Sequence, residues 1–124
     1  QSYLYVPLYD LPLSGKGVLV EGEFKAIIME QALDNPNYRV VGVQSKTPSQ
    51  SVVEQLKDLE PIYVWLDEDA FIREGKGKET PVERICRMLG RERVRVVQRR
   101  VKCDDLIVQY KVNPWNYLRM ARSA

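Results

Sequence analysis

Short apolar runs recur along the chain, and each is predicted to form a strand. Residues 18–20, 39–43 and 62–66 are rich in Val, Leu, Ile, Tyr and Trp and show no apolar–polar alternation. Runs of this kind are typical of strands buried on both faces, as in parallel sheets. Residues 94–101 predict a fourth strand, which is basic rather than wholly apolar.

Helical patterns fill the intervals between these strands. Residues 24–33 combine good helix formers with apolar side chains at helical spacing, including Phe24 and Ile27. Thr47 and Thr80 each precede a proline and stand three residues before a Gln or Glu, which predicts two further capped helices. The residues expected to face inward from these two helices are Val52, Val53, Leu56, Leu59, Val82, Ile85, Cys86 and Leu89. Pro61 and Gly90 are expected to end them.

The alternation of strands and helices predicts an α/β fold: a mostly parallel, four-stranded sheet flanked by helices, joined by right-handed crossovers. We expect an N-terminal extended arm or short edge strand at residues 1–17, a core at 18–112 and a C-terminal tail with a helical turn at 113–124. The chain begins without Met in the middle of a pattern, which suggests a piece of a longer protein.

Composition narrows the chemistry. The hydrophobic share of 44% and charged share of 29% are typical of a globular domain, with no apolar run long enough to cross a membrane. The chain has no histidine, which excludes His-dependent nucleophilic catalysis and His-ligated zinc. Cys86 and Cys103 lack zinc-type spacing, so we expect reduced thiols and a cytoplasmic location.

Acidic residues follow several of the predicted strands. Glu21 follows the first, Asp67 and Asp69 the third, and Asp104 and Asp105 the fourth. The carboxyl ends of parallel strands meet at one edge of a sheet, where ligands bind in this class of fold. In an extended backbone the side chains of Asp67 and Asp69 would also leave on the same side. The alternative interpretations are a solvated turn for these two and helix-terminal or capping acids for the others.

A basic segment lies between residues 91 and 102, with Glu92 as its single acid. Such a stripe can neutralise nucleic-acid phosphates, or it can protect a solvated edge strand. Trp115 and Tyr117 near the C-terminus could stack on bases or seal the end of the domain.

The segments at residues 18–26 and 64–70, a strand followed by Glu-Gly and a strand followed by Asp-x-Asp, resemble the Toprim domain. That domain is shared by bacterial-type and phage primases, topoisomerases and some nucleases. Residues 102–106 are similar to the Lys-Asp-rich segment that follows the last core strand in primase-type members, and the aromatic residues 3–5 to their lead-in. The resemblance covers residues 18–106 and is strongest to the primase and phage primase–helicase type.

The resemblance implies that Glu21 is a catalytic acid/base or metal-positioning carboxylate, and that Asp67 and Asp69 hold Mg²⁺ or Mn²⁺. Asp104 or Asp105 would complete a second metal position. Its basic residues would track nucleic-acid phosphates: Lys25, Lys46, Lys76, Lys78, Arg95, Arg99, Arg100 and Lys102. One departure is Lys25, where many members carry Asp, so the second metal is in doubt or its role falls to Glu23 or Asp104.

The function implied by the resemblance is metal-dependent nucleotidyl transfer on a single-stranded DNA template with nucleotides, by the catalytic domain of a phage- or mobile-element-like primase. A helicase or zinc-binding region in the parent chain would be a natural partner, and no membrane partner is expected. The alternatives are a nuclease with the same carboxylates, or a non-catalytic module that binds DNA or a replication protein. The isolated domain could be inactive.

Overall fold

The computed structural model describes residues 4–73, 75, 78–98 and 102–124. The strands are β1 (Leu4–Tyr5), β2 (Gly15–Glu21), β3 (Tyr38–Val43), β4 (Leu59–Trp65), β5 (Val94–Val96) and β6 (Arg122–Ser123). They form a six-stranded sheet in the order β1-β3-β2-β4-β5-β6. The four central strands are parallel, while β1 and β6 run antiparallel to their neighbours at the two edges.

The mostly parallel α/β sheet expected from the sequence is therefore confirmed, but the predicted number of strands is wrong. The two additional strands have only two residues each, and β1 lies in the N-terminal segment for which a short edge strand was one of two interpretations. A two-residue strand is too short to show the periodicity by which strands are recognised in a sequence.

The α-helices are α1 (Glu23–Leu33), α2 (Gln50–Glu54), α3 (Pro81–Leu89) and α4 (Pro114–Arg119). Short 3₁₀ turns occupy Glu68–Phe71 and Arg91–Arg93, and a π-helical turn occupies Asp105–Gln109. α3 begins as predicted, with a capping box in which Thr80 Oγ1 accepts from Glu83 N at 3.1 Å and Glu83 Oε1 accepts from Thr80 N at 2.7 Å. Gly90 ends it.

The predicted start of the second helix is wrong. Ser49, not Thr47, is the N-cap of α2, and its hydroxyl accepts from the backbone N of Val52 at 3.4 Å. Leu59 and Pro61 belong to β4 rather than to the end of the helix. A hydroxyl residue lies on each side of Pro48, and the spacing rule selected the wrong one.

Helices cover both faces of the sheet. Val18, Val20 and Trp65 face α1 and α4. The strand side chains on the opposite face of the sheet pack against α2 and α3. Ala26, Ile28, Met29 and Leu33 of α1 point inward, while Phe24, one of the apolar residues at helical spacing, is 68% exposed. None of the helices that the structure describes has the length and apolar character to cross a membrane.

The connections define where a ligand site can form. From β2 the chain passes through α1 to β3 on one side, and from β3 it returns through α2 to β4 on the other side of β2. α1 and α2 lie on opposite faces of the sheet. The carboxyl ends of β2 and β4 therefore flank a topological switch point, where a crevice opens in α/β sheets.

Candidate active site

Glu21 stands at the switch point as the last residue of β2. Gly22 follows with φ of 100°, a conformation that glycine adopts without steric cost, and α1 begins at the next residue. The backbone N of Gly22 donates to Val43 O at 2.8 Å, so the N-terminus of α1 is anchored to β3. A Cβ at Gly42 would lie 2.7 Å from Gly22 O, and this close approach of helix and strand therefore requires a glycine at position 42.

Asp67 and Asp69 do not share an extended backbone, so the expectation that they point the same way for that reason is wrong. β4 ends at Trp65, and Asp67 is the extended residue that precedes the 3₁₀ turn Glu68–Phe71. Asp69 lies inside that turn, whose hydrogen bonds include Ala70 N to Asp67 O at 3.0 Å. The acid-rich sequence favours a tight turn over further strand.

Two lysines lie among the carboxylates. Lys25 Nζ, in the first turn of α1, is 3.5 Å from Asp67 Oδ2 and 4.0 Å from Asp104 Oδ1. Lys46 Nζ, after β3, is 2.9 Å from Asp69 Oδ2. The Asp69 side chain is 58% exposed and that of Asp67 is 17% exposed, so the Lys25 pairs are the more desolvated.

Asp104 reaches the same place from the far end of the sequence. It directly precedes the π-helical turn Asp105–Gln109 with helical backbone angles, and its side chain makes no capping hydrogen bond. Asp104 Oδ1 is buried and accepts no hydrogen bond within the described residues, which leaves the Lys25 ammonium as the cation that faces it. Asp105 is exposed beside it.

The environment of Glu21 reflects this crowding. Burial, followed by the negative charges of Asp67 and Asp69, raises the pKa of Glu21 above its ordinary value. The ammonium groups of Lys25 and Lys46 act in the opposite direction and do not cancel the rise. Glu21 Oε1 is also buried without a hydrogen-bond partner in the described part of the chain. Glu21 therefore takes up a proton more readily than an exposed glutamate.

The ligand atoms that these residues offer decide whether the cluster can bind a divalent cation. Within residues 4–73, 75, 78–98 and 102–124, no group of three or more His, Cys, Asp or Glu side chains is placed to hold a metal by itself. Mg²⁺ does not need such a group, because it keeps several waters and takes one or two carboxylates plus substrate phosphates. Glu21 Oε1 and Asp104 Oδ1 are buried carboxylate oxygens that accept no hydrogen bond within the described residues, although Asp104 Oδ1 lies 4.0 Å from the Lys25 ammonium. The chemistry of these oxygens is therefore compatible with one or two carboxylate ligands to a hard cation whose other ligands are water and phosphate.

The structure places the predicted phosphate-binding residues in different environments. Lys25 and Lys46 lie in the carboxylate cluster, whereas Lys78 and Lys102 are exposed. Arg95 lies half-buried on β5, where its Nη1 donates to Val94 O at 3.1 Å. Three predicted residues lie outside the described part of the chain: Lys76, Arg99 and Arg100.

Arg93, within the basic segment, serves the fold. Its guanidinium donates to the carbonyls of Leu89, Leu56 and Lys57, at 2.6, 3.0 and 3.3 Å, and also to that of Leu59. These bonds tie the end of α3 to the turn before β4. The basic segment is therefore not uniformly available to a nucleic acid.

Trp115 and Tyr117 pack against the sheet. Trp115 meets Tyr38 edge-on with ring centroids 4.7 Å apart, and Tyr117 lies 5.5 Å from Trp65. The sequence left two interpretations open for these rings, stacking on bases and sealing the end of the domain. In the structure both rings seal the face of the sheet that α1 and α4 cover.

Two clefts beside the carboxylates involve residues that the sequence did not indicate. One of about 280 Å³ is lined by Tyr5, Gly22, Glu23, Gly42, Val43 and Gln44. Another of about 250 Å³ lies between Phe24 and the Asp104–Gln109 region. The position of Gln44, directly after β3, was a usable indication, because the ends of all parallel strands share one edge.

Comparison with solved structures finds similar folds. The chain is similar to the gp4 primase domain of bacteriophage T7, in a structure where the T7 lagging-strand DNA polymerase interacts with primase domains of two gp4 subunits bound to an RNA/DNA hybrid and dTTP. The TM-score is 0.61 at 16% sequence identity, over 90% of this chain. The chain has a primase-like fold.

The similarity covers 57% of the phage chain, so this chain corresponds to a little over half of its neighbour's length. No protein-family model and no curated protein matches the sequence. At this level of identity the likeness concerns the fold, and the identity of the reaction has to be argued from the site.

Proposed function

We propose that this chain is the Toprim-type catalytic domain of a primase or primase–helicase, which joins nucleotides on a single-stranded DNA template with Mg²⁺ or Mn²⁺. The observation that carries the proposal is the meeting of Glu21, Asp67, Asp69 and Asp104 with two lysines at the switch point. The primase-like fold supports it, because the Toprim resemblance assigns the metal-binding and catalytic carboxylates to this edge of the sheet.

The roles follow from position and charge. One or two of the carboxylates of Asp67, Asp69 and Asp104 would hold the cation, with water and substrate phosphates as its other ligands. When bound, the cation supplies positive charge that stabilises the phosphoryl oxygens and the leaving group. Glu21 would accept the proton of the attacking hydroxyl, a task favoured by its raised pKa, since a base works best when its pKa is near the working pH.

The remaining basic residues would position the substrates. Lys78 and Lys102 are exposed cations that can contact the phosphates of a template. Lys46 is bound to the exposed Asp69 by an ion pair of the kind that contributes little to stability, so an incoming phosphate can compete for its ammonium. A helicase or zinc-binding region would supply template capture from elsewhere in the parent protein.

Metal binding is the first test. Mn²⁺ added to isotopically labelled protein should broaden the amide resonances of Glu21, Asp67, Asp69 and Asp104. Asp67→Asn should abolish this effect, whereas the control Asp58→Asn should not, because Asp58 is an exposed acid before the start of β4 at the opposite edge of the sheet. Broadening that is spread over the surface, or is equal in both variants, would contradict a metal site at the switch point.

Activity is the second test and separates the alternatives. With a single-stranded template, nucleotides and Mn²⁺, the proposal predicts incorporation that is lost in Glu21→Gln and kept in Asp58→Asn. Metal-dependent cleavage without incorporation would favour the nuclease. Salt-sensitive DNA binding that Asp67→Asn leaves unchanged, with neither reaction, would favour the non-catalytic module.

A further inference from the structure

An exposed aromatic ring lies beside the carboxylate cluster and has no role in the proposed function. Phe24, the second residue of α1, is 68% exposed, although Ala26 in the same helical turn is fully buried. Val108 of the π-helical turn is 54% exposed and lines the same cleft as Phe24. Single exposed apolar side chains need no explanation, but two that line one concave surface beside a candidate active site indicate a ligand.

The two walls of this cleft belong to packed elements. Phe24 lies in the first turn of α1, which is anchored to β3 through the hydrogen bond from Gly22 N to Val43 O. The opposite wall is the π-helical turn, which is held to the core by the buried Leu106 and closed by the bond from Tyr110 N to Asp105 O at 3.2 Å. Turns of this kind are rare and are found frequently at functional sites.

The lining of the cleft restricts the class of ligand. Its volume is about 250 Å³, and its polar side chains are Asp104, Asp105 and Gln109. That volume lies below the range of about 300–1,000 Å³ for pockets that enclose a whole drug-sized ligand. No lysine or arginine is among the described residues that line it, so a phosphate would meet two carboxylates and no cation there. A small, flat ring that donates hydrogen bonds fits this lining.

A nucleobase has this chemistry. Every base has a π face that can stack on an aromatic side chain such as Phe24. An ionised carboxylate accepts hydrogen bonds and donates none, so Asp105 favours bases with N–H donors. Guanine presents two neighbouring donors, at N1 and N2, that one carboxylate can accept together, and its O6 can accept from the amide of Gln109. Uracil presents one N–H between two carbonyl oxygens, which a carboxylate repels.

We propose that the cleft between Phe24 and the π-helical turn is a nucleobase subsite, in which guanine stacks on Phe24 and is held by Asp105 and Gln109. The subsite adjoins the carboxylate cluster, because Asp104 lines the cleft and its Oδ1 also lies 4.0 Å from the Lys25 ammonium. The inference deepens the proposed function, on which the identification of this base as part of a substrate nucleotide rests.

Two nucleotides that share one phosphate and one sugar test the subsite. Guanosine monophosphate or uridine monophosphate is titrated into isotopically labelled protein without divalent metal, and the amide resonances of Phe24, Asp105, Val108 and Gln109 are followed. Guanosine monophosphate should bind there saturably and about tenfold more tightly than uridine monophosphate, the discrimination expected of one bidentate hydrogen-bonded pair. Equal affinity for the two nucleotides would overturn the inference.

Variants assign the binding to the cleft. Phe24→Ala should weaken the binding of guanosine monophosphate by about fivefold or more, as expected for loss of one base–aromatic stack, and Phe24→Trp should retain it. Tyr9→Ala should have no effect, because Tyr9 is an 87% exposed aromatic residue in the segment held by Arg39 at the start of β3, at the opposite edge of the sheet. Asp105→Asn should reduce the preference for guanine, whereas Asp58→Asn should not.

Two further results would contradict the subsite. The first is binding of guanosine monophosphate that Phe24→Ala leaves unchanged. The second is a dimer of the wild type that Phe24→Ala abolishes in sedimentation experiments, because a second copy of the chain would then cover the ring.

The titration contains no divalent metal and measures no reaction, so it separates this inference from the proposed function. Guanine selectivity that depends on Phe24, in a protein that incorporates no nucleotide, would refute the proposed function and leave the subsite. Incorporation by a protein whose nucleotide binding does not depend on Phe24 would overturn the subsite and leave the proposed function.

Discussion

Gly42 offers a direct test of how the site is positioned. In Gly42→Ala the new Cβ would lie 2.7 Å from Gly22 O and 3.2 Å from Ala26 Cβ. Since ordinary contacts begin near 3.4 Å, the N-terminus of α1 must move by about 0.7 Å, the difference between 3.4 and 2.7 Å. The hydrogen bond from Gly22 N to Val43 O is in the path of that movement.

The cost can be estimated from these contacts. Overpacking a close contact costs about 1–3 kcal/mol, and loss of one hydrogen bond about 1 kcal/mol. Replacing a glycine returns roughly 0.5–1 kcal/mol of chain entropy. We therefore expect Gly42→Ala to lower the free energy of unfolding by about 2 kcal/mol. With a urea m value of about 2 kcal/mol/M the midpoint should fall by about 1 M.

Urea denaturation followed by tryptophan fluorescence measures this, and Gly17→Ala is the matched control. A Cβ at Gly17 would meet side-chain atoms of Leu59 rather than backbone, Cδ1 at 2.8 Å, Cβ at 3.2 Å and Cγ at 3.3 Å, in the first half of β2 and away from Glu21. Gly17→Ala should cost less and should leave Mn²⁺ binding unchanged, whereas Gly42→Ala should weaken it. Wild-type stability and metal binding in Gly42→Ala would refute the close approach of α1 to β3.

Further predictions concern pH, capping and thiols. Folding raises the pKa of Glu21 above its ordinary value of 4.5, so the ionised form of Glu21 opposes folding. The free energy of unfolding should therefore decrease as the pH rises above 4.5. Unfolding midpoints measured against pH should fall more steeply in the wild type than in Glu21→Gln. An opposite slope would contradict the assignment. Thr80→Ala should lose about 1 kcal/mol with the capping box, or about 4 °C in melting temperature by calorimetry, while Thr80→Ser keeps it. Burial raises the pKa of Cys86 to about 11 and that of Cys103 to about 12. Neither thiol should therefore react with Ellman's reagent at about pH 8 until urea unfolds the chain. Rapid reaction of the native protein would show that the thiols are accessible.

The sequence was informative where one physical rule acts alone. Apolar runs located the central parallel strands, and the Thr80–Glu83 capping box located the start of α3. It was misleading where two local patterns compete: Thr47 and Ser49 both flank Pro48, and only packing decides between them. Phe24 lies at helical spacing and is nevertheless exposed, because apolar spacing alone cannot indicate which side of α1 meets the sheet.

The site follows the same division. That acids after different strands gather at one edge follows from parallel topology, and the electrostatic influence of Asp67 and Asp69 on Glu21 agrees with it. The pairing of Lys25 with Asp67 and Asp104 could not be predicted, because it depends on how closely α1 approaches the sheet and on the π-helical turn at residues 105–109. The assignment of individual residues to metal, proton transfer and phosphate stays a prediction.

The two short edge strands of the sheet affect the tendency of the protein to aggregate in concentrated solution. β1 and β6 contribute two residues each, so each edge strand by itself offers another molecule only a short row of unpaired backbone groups. The strands next to them are β3 and β5, which are rich in Val and are of the kind that can assemble into fibrils once uncovered. The rate of aggregation should therefore depend less on global unfolding than on how often the edge strands Leu4–Tyr5 and Arg122–Ser123 detach from their neighbouring strands.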